Sequence, residues 1–182
     1  MCVLIVKNSG VNVPTKEILT ACTVANPHGF GIGTPNGVFK TLDAEEFIDT
    51  ASQLPPEIPA ILHCRLATHG SIKKTNCHPF EAQDWIFAHN GIIHNIKPCK
   101  DMTDSETAFI QIFVPLLAAN KGFKTNVIQV IKDFAQGNKF AFLSKKTGKI
   151  ITFGNFANYD GCMFSNLRWL HYQEQYKFFY SF

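Results

Sequence analysis

Strand-length apolar runs come in groups along this sequence, and the helical patterns fall between groups, not between single strands. CVLIVK, AILHC, DWIFAHNGII and KFAFLSK are each short, nearly unbroken apolar runs bounded by turn residues. That is the signature of strands buried in a core. NPHGFGIGTPNGVFKTL reads as two strands folded back at Asn36-Gly37, because both turn positions tolerate a positive φ. KFAFLSK and KIITFG face each other across KTGK, and YDGCMFSN is assigned as one further strand. The first helix opens at Pro14-Thr15-Lys16-Glu17 and is expected to bury Ile18, Leu19, Cys22 and Val24. AEEFIDTASQL follows, with Asp43 as its N-cap and LPPEIP as its end. Thr103 or Asp104 caps a long helix, SETAFIQIFVPLLAAN, in which Pro115 is expected to kink or divide the last turns. NVIQVIKDFAQ is another amphipathic helix, and the aromatic LRWLHYQEQYKFFYSF is ambiguous. Strict strand–helix alternation is missing, so the expected class is α+β, with antiparallel sheets and helices segregated from them. No repeat or linker interrupts the 182 residues, and a single domain over 1–182 is expected.

Composition narrows the function. A hydrophobic fraction of 46%, with 17% charged residues and seventeen phenylalanines, suits one aromatic-rich core. A net charge of +3 is too mild to argue for nucleic acid, and Lys73-Lys74 and Lys145-Lys146 read as solvated surface. No apolar run reaches the ~20 residues that span a bilayer, so no membrane is expected. The first residues lack a basic leader and a small-residue cleavage site, which argues against a signal peptide. Cys2, Cys22, Cys64, Cys77, Cys99 and Cys162 are then read as reduced thiols in a cytoplasmic protein.

The middle of the chain is rich in histidine and cysteine: HCRLATHG (63–70), NCHPF (76–80) and FAHNGIIHN (87–95). These are acceptable zinc ligands, yet CxxC, HExxH and HxxxH, the spacings that let one element give two ligands to one ion, are absent, so no metal is expected. His94 and His171 read as hydrogen-bonded residues that orient loops. Cys2 has a different potential. A thiol attacks an acyl carbon as its thiolate and needs a nearby base. If Met1 is removed, Cys2 carries a free α-amine with a reference pKa of ~7.7–8.0, which can accept that proton directly or through one water. The strand VLIV would then anchor nucleophile and base together.

Acyl transfer also needs donors aimed at the developing oxyanion. The Asn90 side chain and the Gly91 backbone N–H can converge on one oxygen, although Asn-Gly is equally an ordinary turn dipeptide. Arg65 is the only charge in an apolar strand; it either grips a carboxylate or points outward from a sheet edge. Asp104 is either an N-cap or a partner for an ammonium group.

Taken together, Cys2, H-x-R-x-A-T-H-G at 63–70, N-x-H-P at 76–79, H-N-G-I-I-x-N at 89–95 and D-S-E-T at 104–107 resemble, in order and spacing, the class II glutamine amidotransferase domains of the N-terminal-nucleophile (Ntn) hydrolases. The motifs cover about residues 1–110; beyond them the likeness rests on element order and FSNLRW. The resemblance implies a four-layer αββα sandwich, two antiparallel sheets between helix layers. It implies Cys2 as nucleophile with its freed amine as base, and Asn90 and Gly91 as the oxyanion hole. Arg65 would bind the α-carboxylate of glutamine and Asp104 its α-ammonium. Thr68 and His69 would shape that pocket, and His78 would support it without moving protons. No cofactor is implied. The reaction would pass through a γ-glutamyl thioester and release ammonia and glutamate.

The sequence departs from the family pattern in places. Leu66 follows the arginine where many members carry tryptophan, and His28 replaces the acid of an N-P-D-G-x-G-I pattern. Cys64 and Cys77 read as small buried hydrophobes. No synthase sequence follows the domain, which leaves a bare glutaminase, a subunit served by a separate synthase, or a hydrolase of another γ-glutamyl amide. A catalytically silent Ntn-fold binding protein is the competing reading from another class, and a zinc protein a third.

Overall fold

The structure is a computed structural model that describes residues 2–67, 71–94 and 96–173. Its strands form two sheets. The first contains β1 (Val3–Lys7), β2 (Phe30–Thr34), β3 (Gly37–Thr41), β4 (Ala60–Cys64), β9 (Ala157–Tyr159) and β10 (Cys162–Phe164), in the order β3-β2-β4-β1-β10-β9. The second contains β5 (Phe80–Ala82), β6 (Trp85–Asn90), β7 (Lys139–Ser144) and β8 (Ile150–Phe153), in that order. Every pairing is antiparallel.

Alternation along the strands sorts side chains between two faces, and both faces are covered. Leu4, Val6 and Ile61 of the first sheet meet Ile86, Ala88, Ala141 and Leu143 of the second in a thin aliphatic layer. On the outer face of the first sheet, Val3, Ile5, Phe30 and Leu62 pack against α1 (Lys16–Ala25), α2 (Ala44–Ser52) and Trp169. On the outer face of the second, Phe87, Phe140, Phe142 and Phe153 meet Phe109, Phe113, Leu117, Val127 and Ile131 of the helices. The result is the αββα sandwich. Burial on both faces also explains why these strands read as unbroken apolar runs rather than alternating ones. Lys7 is the exception in β1; its buried ammonium donates to the carbonyls of Pro55, Pro56 and Ile58 at 3.1, 2.9 and 2.6 Å.

Two local expectations need correction, and a third takes a specific form. Val24 is 42% exposed, because it follows Ile18 by six residues and lies round the helix from it; Ala21 and Thr23 are buried instead. YDGCMFSN is not one strand: Asp160 and Gly161, at φ 49° and 76°, turn β9 back into β10. The helix is divided, as expected, with Pro115 in the first turn of its last segment. α3 (Asp104–Ala108) runs into a π-helical segment, Phe109–Phe113, before α4 (Val114–Ala119), and the Val114 N–H donates to the Phe109 carbonyl. Proline cannot donate to the preceding turn, and the wider turn just before it absorbs the mismatch. α5 (Thr125–Phe134) then leads into β7.

Candidate active site

Antiparallel register brings residues 2 and 65 together. Val3 pairs with Cys64, so Cys2 lies just before the start of β1 where Arg65 leaves the end of β4. Asn90, the last residue of β6, reaches the same edge from the second sheet. The Cys2 thiol accepts the Leu66 N–H at 3.3 Å and lies 3.6 Å from the Leu66 carbonyl as a donor. Burial pushes this thiol's pKa up, while the Leu66 hydrogen bond pulls against that. A thiol so placed needs a base to ionise.

The 65–67 backbone is itself held in place. Arg65 N–H donates to the Gly29 carbonyl at 2.8 Å, His28 N–H donates to the Arg65 carbonyl at 2.9 Å, and Ala67 N–H donates to His28 Nδ1 at 2.9 Å. His28 therefore supplies an acceptor where the family pattern has an acid, and a carboxylate oxygen could accept the same bond.

Asn90 reaches Cys2, but at its backbone. Its Nδ2 donates to the Cys2 carbonyl at 2.6 Å and to Ser165 Oγ at 2.7 Å, which uses both amide hydrogens. Asn166 Nδ2 donates to the same Cys2 carbonyl at 2.9 Å. Ser165 Oγ also accepts the Leu4 N–H at 2.9 Å, so it ties β1 to β6. Gly91 sits at φ 148°, and a Cβ there would lie 2.0 Å from Asn138 Oδ1 and 2.8 Å from His89 Nε2. Only glycine fits this turn.

Cys2, Arg65, Lys73, His78, Gly91 and Asp104 line a cavity of about 630 Å³. Arg65 is almost fully buried, not outward-pointing, and its Nη1 donates to the Ser71 carbonyl at 3.2 Å. Asp104 opens α3, yet Thr103 is the cap, accepting the Glu106 N–H at 3.1 Å. Asp104 Oδ2 accepts the Ile93 N–H at 2.9 Å instead. His78 packs between His63 and Phe80, at ring-centroid distances of 4.5 and 4.6 Å. Burial drives the pKa of His78 well below the histidine range and that of His63 to about 3, so both rings are neutral at physiological pH. His94 also lines the cavity, whereas His171 meets the Tyr172 ring edge-on. Thr68 and His69, expected to shape the pocket, lie outside the described residues. All six cysteines are free thiols, with Cys64 and Cys77 fully buried. Among the described residues no cluster of three metal-ligating side chains occurs, and no helix is long and apolar enough to cross a membrane.

Several residues at this site were not singled out from the sequence. Ser165 and Asn166 lie in FSNLRW, a segment with no assigned role, and reach Asn90 and Cys2 across 75 and 164 residues respectively. His89 was visible in the H-N-G motif without a function of its own. Of its two partners, Ser105 lies inside the D-S-E-T motif without a role of its own, and Asn138 lies in no motif.

Comparison with known proteins bears on the assembly as a whole. The family described as "Glutamine amidotransferases class-II" matches residues 55–153, more than half of the chain. A putative glutamine amidotransferase of Haemophilus influenzae is 30% identical over a stretch covering 60% of this chain and 46% of that protein. A glutamine–fructose-6-phosphate aminotransferase (isomerizing) of Zymomonas mobilis is 48% identical over 48 residues, 26% of this chain and 8% of its own length. Among solved structures, the glutamine phosphoribosylpyrophosphate amidotransferase of B. subtilis superposes with a TM-score of 0.55 at 14% identity, over 90% of this chain and 41% of that one. That likeness bears on the fold alone, the Ntn amidotransferase sandwich. The chain spans less than half the length of these relatives. With more than half its residues matched and the fold shared, this chain belongs to the class II glutamine amidotransferase family.

Proposed function

We propose that residues 1–182 act as one glutamine amidotransferase domain that hydrolyses the side-chain amide of glutamine, with Cys2 as nucleophile. The observation that carries this reading is the placement of the Cys2 thiol on a cavity whose wall also holds Arg65 and Asp104. An amino acid presents a carboxylate and an ammonium together, and a cation and an anion on one wall match that pair. Removal of Met1 would free the Cys2 amine. The amine takes the thiol proton, and the thiolate adds to the amide carbon. The tetrahedral oxyanion collapses to a γ-glutamyl thioester; the amine's proton leaves with the departing nitrogen as ammonia. Water, losing its proton to the same amine, then cleaves the thioester to glutamate and restores the thiol. The Gly91 N–H and Asn90 Nδ2 serve the oxyanion. Asn90 must change a partner to do so, since both of its N–H groups are engaged. His78 is a neutral packing residue, and Thr68 and His69 are assigned to the pocket rim.

The cavity exceeds what one free amino acid fills, and its wall includes Ile92, Ile96, Pro98 and Met102. This favours, as a second reading, a γ-glutamyl amide with a larger apolar amine. Six free thiols suit a cytoplasmic setting, and a separate synthase is a candidate consumer of the ammonia.

The test is intact and peptide mass spectrometry after incubation with an electrophilic glutamine analogue. Loss of Met1 with one adduct on Cys2 is the expected result. Retained Met1, or adducts scattered over Cys99 and the other thiols, overturns it in favour of a silent Ntn-fold binding protein.

A further inference from the structure

Asp104 Oδ2 already accepts the Ile93 N–H, so Oδ1 is the oxygen with more acceptor capacity left for an ammonium. The nearest donor to Oδ1 is the Ser105 hydroxyl, 3.4 Å away, and a hydroxyl has one hydrogen to give. Where that hydrogen points decides how much of the carboxylate is open. The answer lies just before β7, at Asn138. Asn138 Nδ2 donates to the carbonyls of Phe134 and Gln136, at 3.1 and 3.2 Å, at the end of α5. Both amide hydrogens are spent there, which fixes the amide and turns Oδ1 toward His89 Nε2 at 2.9 Å. An acceptor facing Nε2 requires a hydrogen on Nε2. A neutral imidazole carries only one, so Nδ1 is an acceptor. Ser105 Oγ lies 2.8 Å from Nδ1 and gives its hydrogen there, not to Asp104. His89, Ser105 and Asn138 are all buried.

We infer that His89 is a positioning residue: as a neutral Nε2–H imidazole anchored by Asn138, it draws the Ser105 hydroxyl away from Asp104 and keeps that carboxylate open for the ammonium end of the substrate. The same anchor abuts Gly91, whose turn leaves no room for a Cβ against Asn138 and His89. One buried hydrogen-bond chain thus runs from Ser105, beside Asp104, to Asn138, beside the Gly91 turn. The inference rests on the assignment of Asp104 to the ammonium.

Protonation reverses the arrangement. His89 then donates from Nδ1 to Ser105 Oγ, and the hydroxyl turns to Asp104. Burial holds the imidazole neutral, opposed by the Asn138 bond and the charge of Asp104. The groups packed around it are His63 on β4, His78 before β5, Ser105 and Asp104 on α3, Asn138 just before β7, and the Phe140 ring on β7. His63 and His78 are neutral, and the cations Arg65 and Lys40 bear on those two rings. Asp104 is the anion that bears on His89.

The test uses the full chain and two readouts. Nitrogen-15 NMR of labelled histidines, with His89 assigned by its loss in H89Q, is expected to show a neutral Nε2–H ring at pH 7. An Nδ1–H tautomer or an imidazolium at that pH overturns the inference, whatever the activity. In steady-state ammonia release from glutamine, H89Q is expected to raise KM about tenfold with kcat nearly kept, because the freed hydroxyl now turns to Asp104. Removing that hydroxyl in H89Q/S105A is expected to bring KM back toward the parent value. A merely structural histidine gives no such rescue, and an equal or worse KM in the double variant overturns the inference. Absence of turnover in the parent chain overturns the glutaminase reading instead and leaves the tautomer to NMR.

Discussion

The candidate site has two flanks built on different principles. On one, Cys2, Arg65 and Asn90 stand at the ends of β1, β4 and β6, and their positions follow from the ladder that pairs Val3 with Cys64 and from β6 pairing with β7 down to Asn90 and Lys139. On the other, residues 91–94 and 96–103 cross the cavity without a strand or helix of their own. That segment is held by side chains: Asp104 takes the Ile93 N–H, and the Thr107 hydroxyl takes the Cys99 N–H at 3.0 Å. The strand flank is stiff because shifting it by one residue would turn every core side chain to the wrong face. The loop flank is only as firm as a few hydrogen bonds. On the proposed reading, the nucleophile and the Asn90 donor are on the first flank, and the Gly91 donor and part of the ligand recognition are on the second.

The comparison is tested hardest at the nucleophile. Cys2→Ala removes one atom at the edge of a ladder that does not depend on it. Ammonia release should fall about a thousandfold or more, with the thermal midpoint close to that of the parent. Calorimetry and a coupled ammonia assay on the same preparation check both halves, and undiminished turnover removes Cys2 from the chemistry. The next effect is on stability and belongs to the strand flank. His63 on β4 is fully buried, with its pKa held near 3 by burial first and by neighbouring His89, Arg65 and Lys40. The unfolded chain binds this proton near pH ~6.5, so between there and pH 3 it holds more protons than the folded one. Stability is therefore full above ~6.5 and falls with pH through that window, by on the order of 4 kcal/mol at its lower end. His78, without a hydrogen-bond partner among the described residues, adds in the same direction. Urea midpoints from pH 7 to 4 should drop, and His63→Leu should flatten the slope.

The same division decided what could be read from the sequence. β1, β4, β6 and β7 were legible because strands buried on both faces leave short apolar runs, and VLIV, AILHC, WIFAHN and KFAFLS are such runs. Cys2, Arg65 and Asn90 were legible for the same reason, as polar residues at the ends of those runs. Three-residue β5 was not, since Phe80–Ala82 is too short to show a period and is a strand only because β6 pairs with it. The π-helical segment left no local mark beyond Pro115. The hydrogen-bond partners of His89 are 16 and 49 residues away, and no spacing rule spans such distances.

Gly91→Ala attacks the joint between the flanks. Its Cβ would meet Asn138 Oδ1 at 2.0 Å on a backbone at φ 148°, so the turn must shift and take the Gly91 N–H with it. Turnover should fall about a hundredfold, the scale of losing one oxyanion donor, while the sheets stay folded. Circular dichroism beside the ammonia assay separates the two. An active Gly91→Ala would mean that the loop flank yields at little cost and that its N–H is not the donor.

Ser165→Ala gives the smallest effect and sharpens the boundary between placement and chemistry. Ser165 Oγ accepts both the Leu4 N–H and Asn90 Nδ2, and its own N–H donates to the Leu4 carbonyl at 2.8 Å. Losing the hydroxyl strands a buried backbone donor in β1, which should cost about 1–2 kcal/mol of stability in urea. It also frees one Asn90 hydrogen, while the Cys2 carbonyl keeps Asn90 and Asn166 as donors. If Asn90 must release a partner to reach the oxyanion, that release is now easier, and kcat should stay within about threefold of the parent. A large fall in kcat at unchanged stability would say the reverse: that the serine aims Asn90, and that even the strand flank depends on a side chain to finish what register begins.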